Sequence, residues 1–181
     1  MSRYIAFLRA INVGGHVVKM DQLRGLFETS GFSSIETFIA SGNVVFDTKS
    51  GDAAVLKKRI EKQLREALGY EVALFIRTGM ELADIAKYTP FPQSAVNAAA
   101  ALNIAFLKEP LDEPSKQKLM GLRTDIDDFQ VNEREIYWLC LKKQSESTFS
   151  NAVLEKALGS RSTLRGVNTI RKMAEKYAIK H

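Results

Sequence analysis

Apolar and polar residues alternate along the chain in blocks that predict a repeated succession of strands and helices. The first apolar block, Tyr4–Ala10, is nearly continuous, which is typical of a central strand. Apolar residues at helical spacing predict helices at Met20–Thr29 and Asp52–Leu68, the second with Asp52 as its N-cap. The remaining strands of this half are predicted at Ile35–Ala40, Val44–Asp47 and Glu71–Arg77.

The order strand–helix–strand–strand–helix–strand is that of a ferredoxin-like plait, and the second half of the chain nearly repeats it. Its predicted elements are helices at Met80–Tyr88, Pro114–Leu122 and Asn151–Leu158, strands at Leu102–Leu107, Phe129–Asn132 and Glu135–Leu141, and a terminal helix from about Ser162. We therefore predict an α+β fold of two ferredoxin-like, βαββαβ-type halves with a C-terminal amphipathic basic helix. The N-terminal half is predicted at residues 1–78 and the C-terminal half at residues 79–181.

Positive charge is concentrated at the C-terminal end. The chain has 26 Lys and Arg against 21 Asp and Glu, a formal net charge of +5. The whole excess lies in residues 155–181, which hold seven basic and two acidic residues. A helix with this charge attracts an anionic small molecule or a polyanion, although a solvated amphipathic helix has the same pattern.

The remaining bulk properties narrow the class of protein. A chain of 181 residues is long enough to bury a core, and its single cysteine, Cys140, excludes both an internal disulfide and a cysteine-based metal cluster. The apolar run at 98–107 is broken by Asn103 and is too short to span a bilayer. Arg9 interrupts the N-terminal apolar segment before a signal peptide can form. We therefore expect a cytoplasmic protein with no membrane partner.

The loop after the first predicted strand is the leading candidate for a ligand site. Asn12, Gly14 and Gly15 lie between that strand and a predicted helix, where glycine lets backbone N–H groups approach an anion. The spacing matches neither the dinucleotide nor the nucleotide-triphosphate fingerprint, and a tight turn at positive φ explains the same glycines. Arg9, near the C-terminal end of the strand, is expected to be partly buried, with either an acidic side chain or a ligand anion as its partner.

His16, at the end of this loop, is one of two histidines, and the other is the last residue. If the protein is an enzyme that uses general acid–base chemistry at neutral pH, His16 is the candidate residue. An exposed loop histidine without a catalytic role is the alternative. No cluster of His, Asp and Glu has metal-ligand spacing, so no catalytic metal is predicted, and the sequence identifies no cofactor.

Two further segments offer polar side chains. Ser41, Gly42 and Asn43 are predicted to form a hairpin turn, in which a hydroxyl and an amide are candidate ligand contacts, although turn chemistry alone explains these residues. On the predicted terminal helix, a spacing of about 100° per residue places several polar residues in one stripe opposite an apolar face. The members of this stripe are Arg165, Asn168, Thr169, Lys172 and Lys176.

Three hypotheses about function follow. The first is a module that binds a phosphorylated or carboxylate small molecule in a composite site between the Gly14-Gly15 loop and the C-terminal helix. Its candidate ligand contacts are Arg9, Asn12, Gly14, Gly15, Ser41, Asn43, Arg165, Asn168, Thr169 and Lys172. The second is a metal-independent enzyme with His16 as acid or base. The third is an RNA-binding or protein-interaction module, in which RNA is less favoured because the strands lack an RNP-like aromatic pattern. The sequence does not indicate the oligomeric state.

Several segments of the chain resemble the bacterial domain-of-unknown-function family numbered 1697. They are Leu8–Gly15, Ser41–Phe46, Arg165 with Asn168-Thr169, Pro90–Pro92, Ile104–Leu107 and Leu154–Gly159. The resemblance implies a compact two-part α+β protein with ferredoxin-like character, and it implies no established activity, cofactor or catalytic residue. This chain departs from the family pattern at Ala10, where members usually carry Gly, and at Gly166-Val167, where members usually carry Asn-Trp. The second departure puts in doubt any ligand contact that relatives make through that pair.

Overall fold

The computed structural model describes residues 1–9, 11, 15–39, 42–49 and 51–178. Within these ranges it confirms the α+β fold, with two four-stranded antiparallel sheets and seven α-helices that form two ferredoxin-like halves. The chain divides into two compact units: the first is Met1–Asp84 with the chain from Met173 onward, and the second is Ile85–Lys172. The boundary after residue 78 stays a prediction.

The first unit contains one complete plait. Its elements are β1 (Ser2–Leu8), α1 (Met20–Thr29), β2 (Ser33–Thr37), β3 (Asn43–Thr48), α2 (Ala53–Leu68) and β4 (Leu74–Thr78), and α3 (Gly79–Lys87) follows. The sheet has the order β2-β3-β1-β4. Asp52 caps α2 by accepting hydrogen bonds from the N–H groups of Ala54 and Val55, and Gly69 ends the helix at a φ of 81°. The structure therefore confirms Asp52 as the N-cap of this helix.

The second unit contains the second plait. Its elements are α4 (Gln93–Ala98), β5 (Ala101–Phe106), α5 (Glu113–Met120), β6 (Asp127–Asn132), β7 (Glu135–Cys140), α6 (Asn151–Leu158), β8 (Thr163–Gly166) and the start of α7 (Val167–Tyr177). The sheet order β6-β7-β5-β8 repeats the order of the first sheet when the strands are counted from β5. The short helix α4 was not predicted from the sequence.

The prediction of a terminal helix from Ser162 is wrong in its first turn. Residues Thr163–Gly166 form β8, which pairs antiparallel with β5, so that Arg165 lies opposite Ile104, and α7 begins only at Val167. The edge of β5 provides backbone hydrogen bonds for a segment whose own helix preference is weak, since Gly166 disfavours helix. Arg165 is therefore not a member of the helical stripe, and β8 completes the second plait.

The bounds of the strands in the first unit also differ from the prediction. The strand β1 ends at Leu8 rather than at Ala10, because Leu8 pairs with Leu74, the first residue of β4. Arg9 therefore follows the strand instead of interrupting it. The strand β2 begins and ends earlier than predicted, and β4 begins later, at Leu74. Pairing with a neighbouring strand, rather than local composition, sets these ends.

One face of each sheet packs against the helices of its own unit. In the first unit, Ala6 of β1 belongs to a buried core with Phe27 of α1 and Ile60 of α2. In the second unit, Trp138 of β7 belongs to a separate core with Leu154 of α6. None of the helices in the described part of the chain has both the length and the apolarity that a bilayer crossing requires.

Candidate anion-binding site

The loop after β1 contains the first group of predicted ligand contacts. Arg9 is half-buried, and its backbone N–H donates to the carbonyl of Ala73 at 2.8 Å, which holds it beside the start of β4. Gly15 is exposed and has a φ of 82°, the left-handed conformation that the tight-turn alternative requires. Asn12 and Gly14 lie outside the described residues, so their ligand contacts stay predictions.

His16 is exposed and stacks on Tyr70, with 3.9 Å between the ring centroids and 25° between the ring planes. The hydroxyl of Tyr70 donates to the carbonyl of Ile11 at 3.0 Å, which ties the loop after β1 to the segment after α2. The stacking gives His16 a packing role that does not depend on acid–base chemistry. Its role as a catalytic acid or base stays a hypothesis.

The hairpin turn between β2 and β3 is closed by its own hydrogen bonds. Asn43 is buried, and its Nδ2 donates to the carbonyl of Phe38 at 3.0 Å. The backbone N–H of Phe38 donates in return to the carbonyl of Asn43 at 3.0 Å. These bonds favour the turn-chemistry explanation for Asn43, whereas Ser41 lies outside the described residues.

The strand conformation of β8 sets the surroundings of Arg165. Successive side chains of a strand point to opposite faces, so Arg165 and Thr163 share one face and Gly166 lies on the other. The Nη1 atom of Arg165 donates to Thr163 Oγ1 at 2.8 Å and to the carbonyl of Leu164 at 2.9 Å. Burial lowers the pKa of Arg165 to about 10, which leaves the guanidinium positively charged at neutral pH.

The helix α7 has the amphipathic character that the sequence predicts. Its buried residues are Val167, Ile170, Met173 and Tyr177. Asn168 and Lys172 are exposed and Thr169 is half-buried, so these members of the predicted stripe lie away from the core. Lys176 forms an ion pair with Glu36, with 3.6 Å between Nζ and Oε2. Asn168 and Lys172 are therefore the residues of the stripe with the most accessible side chains for a ligand.

Asn103 is not among the site residues predicted from the sequence. Asn103 lies in β5, is only 6% exposed, and its Nδ2 has no hydrogen-bond partner. It pairs with Gly166, the residue that immediately precedes α7. The available signal was that Asn103 is the single polar residue in the apolar run at 98–107. A buried amide nitrogen without a partner is unfavourable, so this position is a candidate ligand contact.

The carboxylate of Asp127 is also buried, but unlike the amide nitrogen of Asn103 both of its oxygens have hydrogen-bond partners. It accepts hydrogen bonds from Thr124 Oγ1 at 2.7 Å, Trp138 Nε1 at 2.8 Å and Ser147 Oγ at 2.8 Å. Burial opposes its ionisation, but the hydrogen bonds from these three side chains outweigh burial and lower the pKa of Asp127. In the described ranges no group of three or more His, Cys, Asp or Glu side chains could hold a metal ion.

The lowered pKa of Asp127 makes the stability of the second unit dependent on pH. Its contribution is fully present above the unfolded pKa of about 3.9 and is lost as the pH falls through the lower folded value. Below about pH 4 we therefore expect the urea midpoint of the wild type to fall more steeply than that of Asp127→Asn, as followed by the fluorescence of Trp138. If the urea midpoints of the two proteins fall equally steeply with pH, the lowered pKa of Asp127 is contradicted.

The two sheet orders and their helix-covered faces define the class of protein: an α+β protein built from two ferredoxin-like plaits. The chain belongs to the family described as "Protein of unknown function (DUF1697)", whose model matches residues 1–137. The match ends within β7, so β8 and α7 lie beyond it.

A solved structure, that of the conserved bacterial protein SP0830 from Streptococcus pneumoniae, is similar to this chain with a TM-score of 0.78. The similarity covers 96% of this chain and 97% of that chain, at 20% sequence identity. At this identity the similarity shows the fold alone. No curated protein matches the chain.

Proposed function

We propose that the protein binds a small anionic molecule, phosphorylated or carboxylate, and that the first turns of α7 contribute to the binding surface. The observation that carries this proposal is the exposure of Asn168 and Lys172 on a helix whose other side is buried. Side chains at positions i and i+4 of a helix are neighbours, so the amide and the ammonium can donate to the same ligand group.

The positive charge at the N-terminal end of α7 also favours an anionic ligand. The N-terminal end of a helix carries a partial positive charge, and its first N–H groups have no partner within the helix. The exposed Arg171 and Lys172 add full positive charges within the first turns of α7. An oxyanion near this end is therefore favoured by both the helix and its side chains.

The other ligand contacts of the sequence-based hypothesis belong to this proposal as predictions. They are Arg9, Asn12, Gly14, Gly15, Ser41, Asn43, Arg165 and Thr169. The pairing of the Gly14-Gly15 loop with the C-terminal segment in one composite site is likewise a prediction.

An observation favours a small molecule over RNA. Plait folds that bind RNA stack its bases on aromatic side chains exposed on the sheet. Phe7 of β1 and Phe46 of β3 are fully buried, so neither is accessible to a base. RNA binding through about four phosphate contacts would moreover give a log–log salt slope of about −3, which a compact anion site does not require.

Replacing Lys172 with alanine tests the proposal. We expect Lys172→Ala to weaken the binding of inorganic phosphate by about two- to fivefold, because one exposed charge of the surface is removed. Isothermal titration calorimetry at constant ionic strength measures the dissociation constant. Lys118→Ala is the matched control, because it removes an exposed lysine from α5 of the same unit. Equal effects of the two variants, or no binding of phosphate by the wild type, would count against the proposal.

A further inference from the structure

The amide of Asn103 is an unusual group for the middle of a sheet. The strand β5 is flanked by β7 and β8, and Asn103 lies between Trp138 on one side and Gly166 on the other. The residue is 6% exposed, and its Nδ2 has no hydrogen-bond partner. Native proteins pair most buried polar groups, and an unpaired one therefore needs an explanation such as a ligand.

Gly166 leaves open space beside this amide. A Cβ atom built on Gly166 would find Asn103 Oδ1 at 3.8 Å and no other atom within 4 Å outside its chain neighbours. Gly166 is half-buried, and Leu164, on the same face of β8, packs against the apolar core of the unit. Leu164 thus fills this face of the sheet, whereas at Gly166 there is room for a methyl group next to the amide.

The helix α7 begins immediately after this glycine, at Val167, with no intervening loop. It is 11 residues long, so the partial positive charge at its N-terminal end is well developed. Its first N–H groups have no acceptor within the helix. Two kinds of neutral donor, a side-chain amide and helix N–H groups, therefore occur at one junction of the fold.

We propose that Asn103, Gly166 and the first turn of α7 form a subsite for a terminal oxyanion, the phosphate or carboxylate group of a small molecule. This inference rests on the proposed function and adds to it the place where the charged group enters. The ionised oxygens of a phosphate or carboxylate are acceptors, which suits the Nδ2 of Asn103 and the first N–H groups of α7 as donors. The phosphodiester of a nucleic acid continues on both sides and does not fit a buried amide as a terminal group does.

The carboxamide can turn to meet such a ligand. Its Oδ1 is the atom near Gly166, and a half-turn about the terminal side-chain bond exchanges the oxygen and the nitrogen with almost no change in shape. A ligand oxygen beside Gly166 selects the orientation in which Nδ2 faces it. The absence of a side chain at residue 166 is what allows the ligand oxygen to come this close.

Replacing Asn103 with leucine tests this subsite with two readouts. Leucine has a similar volume and no polar atom, so we expect the melting temperature without ligand to be unchanged or higher. The dissociation constant for inorganic phosphate is expected to rise about tenfold, because a hydrogen bond to a charged group is lost. Asn132→Leu, the same change at a half-buried position of β6 in the same sheet, is the control and leaves phosphate affinity unchanged.

A second variant keeps the test decisive if Asn103→Leu folds poorly. In Gly166→Ala the added methyl makes only an ordinary contact with the amide, so the fold is retained while the space for the ligand oxygen is filled. We expect Gly166→Ala to weaken phosphate binding by about tenfold as well. Unchanged phosphate affinity in Gly166→Ala would overturn the subsite whatever the behaviour of Asn103→Leu.

The outcomes separate this inference from the proposed function. If Lys172→Ala weakens phosphate binding but Gly166→Ala and Asn103→Leu do not, the subsite is wrong and anion binding by α7 stands. If the wild type binds neither inorganic phosphate nor small phosphorylated and carboxylate compounds, both are wrong. Binding of an oligoribonucleotide that is steeply salt-dependent and insensitive to Gly166→Ala would also overturn the subsite.

Discussion

Gly42→Ala is expected to lower the free energy of unfolding of the first unit by about 3 kcal/mol, the sum of a strained backbone and an overpacked contact. Gly42 has a φ of 80°, which an L-residue with a side chain adopts only at a cost. An added Cβ would lie 3.0 Å from Leu8 Cβ and 3.2 Å from Ile11 Cγ2. The turn cannot easily move away, because the N–H of Leu8 donates to the carbonyl of Gly42 at 2.8 Å.

Gly69→Ala is the matched control for this experiment. Gly69 has nearly the same φ, 81°, but a Cβ there would find nothing within 4 Å. Its substitution is therefore expected to lower the free energy of unfolding by only about 1 kcal/mol, which is the cost of a positive φ for alanine without any steric clash. Urea unfolding followed by far-ultraviolet circular dichroism measures both variants. Similar losses in the two variants would contradict the close approach of Gly42 to Leu8 and Ile11.

Asp127→Ala is expected to lower the free energy of unfolding of the second unit by about 2–3 kcal/mol, because it leaves the buried indole N–H of Trp138 without its acceptor and removes two further hydrogen bonds. The carboxylate, 2% exposed, accepts hydrogen bonds from Thr124, Trp138 and Ser147. These residues belong to the segment before β6, to β7, and to the segment after β7. The indole N–H of Trp138 is buried and loses a charged acceptor, whereas Ser147 is half-buried and Thr124 is exposed, so their hydroxyls can turn to water.

Asp125→Ala provides the comparison. Asp125 lies two residues earlier in the chain and is exposed, so its replacement is expected to change the free energy of unfolding by less than about 0.5 kcal/mol. Trp138 is the single tryptophan of the chain and is buried, so its fluorescence reports the urea unfolding of this unit. A loss for Asp127→Ala as small as that for Asp125→Ala would show that the three donors find other partners.

The elements that the sequence predicts well are those with local signals. The helix α2 begins after a capping Asp52 and ends at Gly69, and both features depend only on residues within a few positions. The helix α1 was likewise predicted with its observed bounds, Met20–Thr29. The repeated order of strands and helices is then enough to predict the ferredoxin-like fold class.

What the sequence could not predict depends on partners far away in the chain. The strand β8 forms because Thr163–Gly166 pairs with β5, about sixty residues earlier, whereas the sequence alone predicts a helix from about Ser162. The same pairing places Arg165 on the opposite face of β8 from Gly166. The tight contact of Gly42 with Leu8 is also non-local, so the turn pattern could indicate the glycine but not the close approach.

The sequence predicts which side of α7 is exposed, whereas its candidate ligand contacts stay predictions. The exposed side of α7, with Asn168 and Lys172, follows from helical periodicity. The role proposed for Asn103 could not be derived, because whether a buried amide has a partner depends on the residues that surround it in the folded chain. Its position in an apolar run was the visible sign, and that sign alone does not distinguish a structural amide from a ligand contact.

A titration of the ¹⁵N-labelled protein with inorganic phosphate, followed by nuclear magnetic resonance, tests the proposed anion site most directly. We expect saturable shifts of the backbone amides of Val167, Asn168 and Thr169 together with the side-chain amide of Asn103. Saturation in the wild type with these four signals unchanged, or no saturable shift at constant ionic strength, would contradict it.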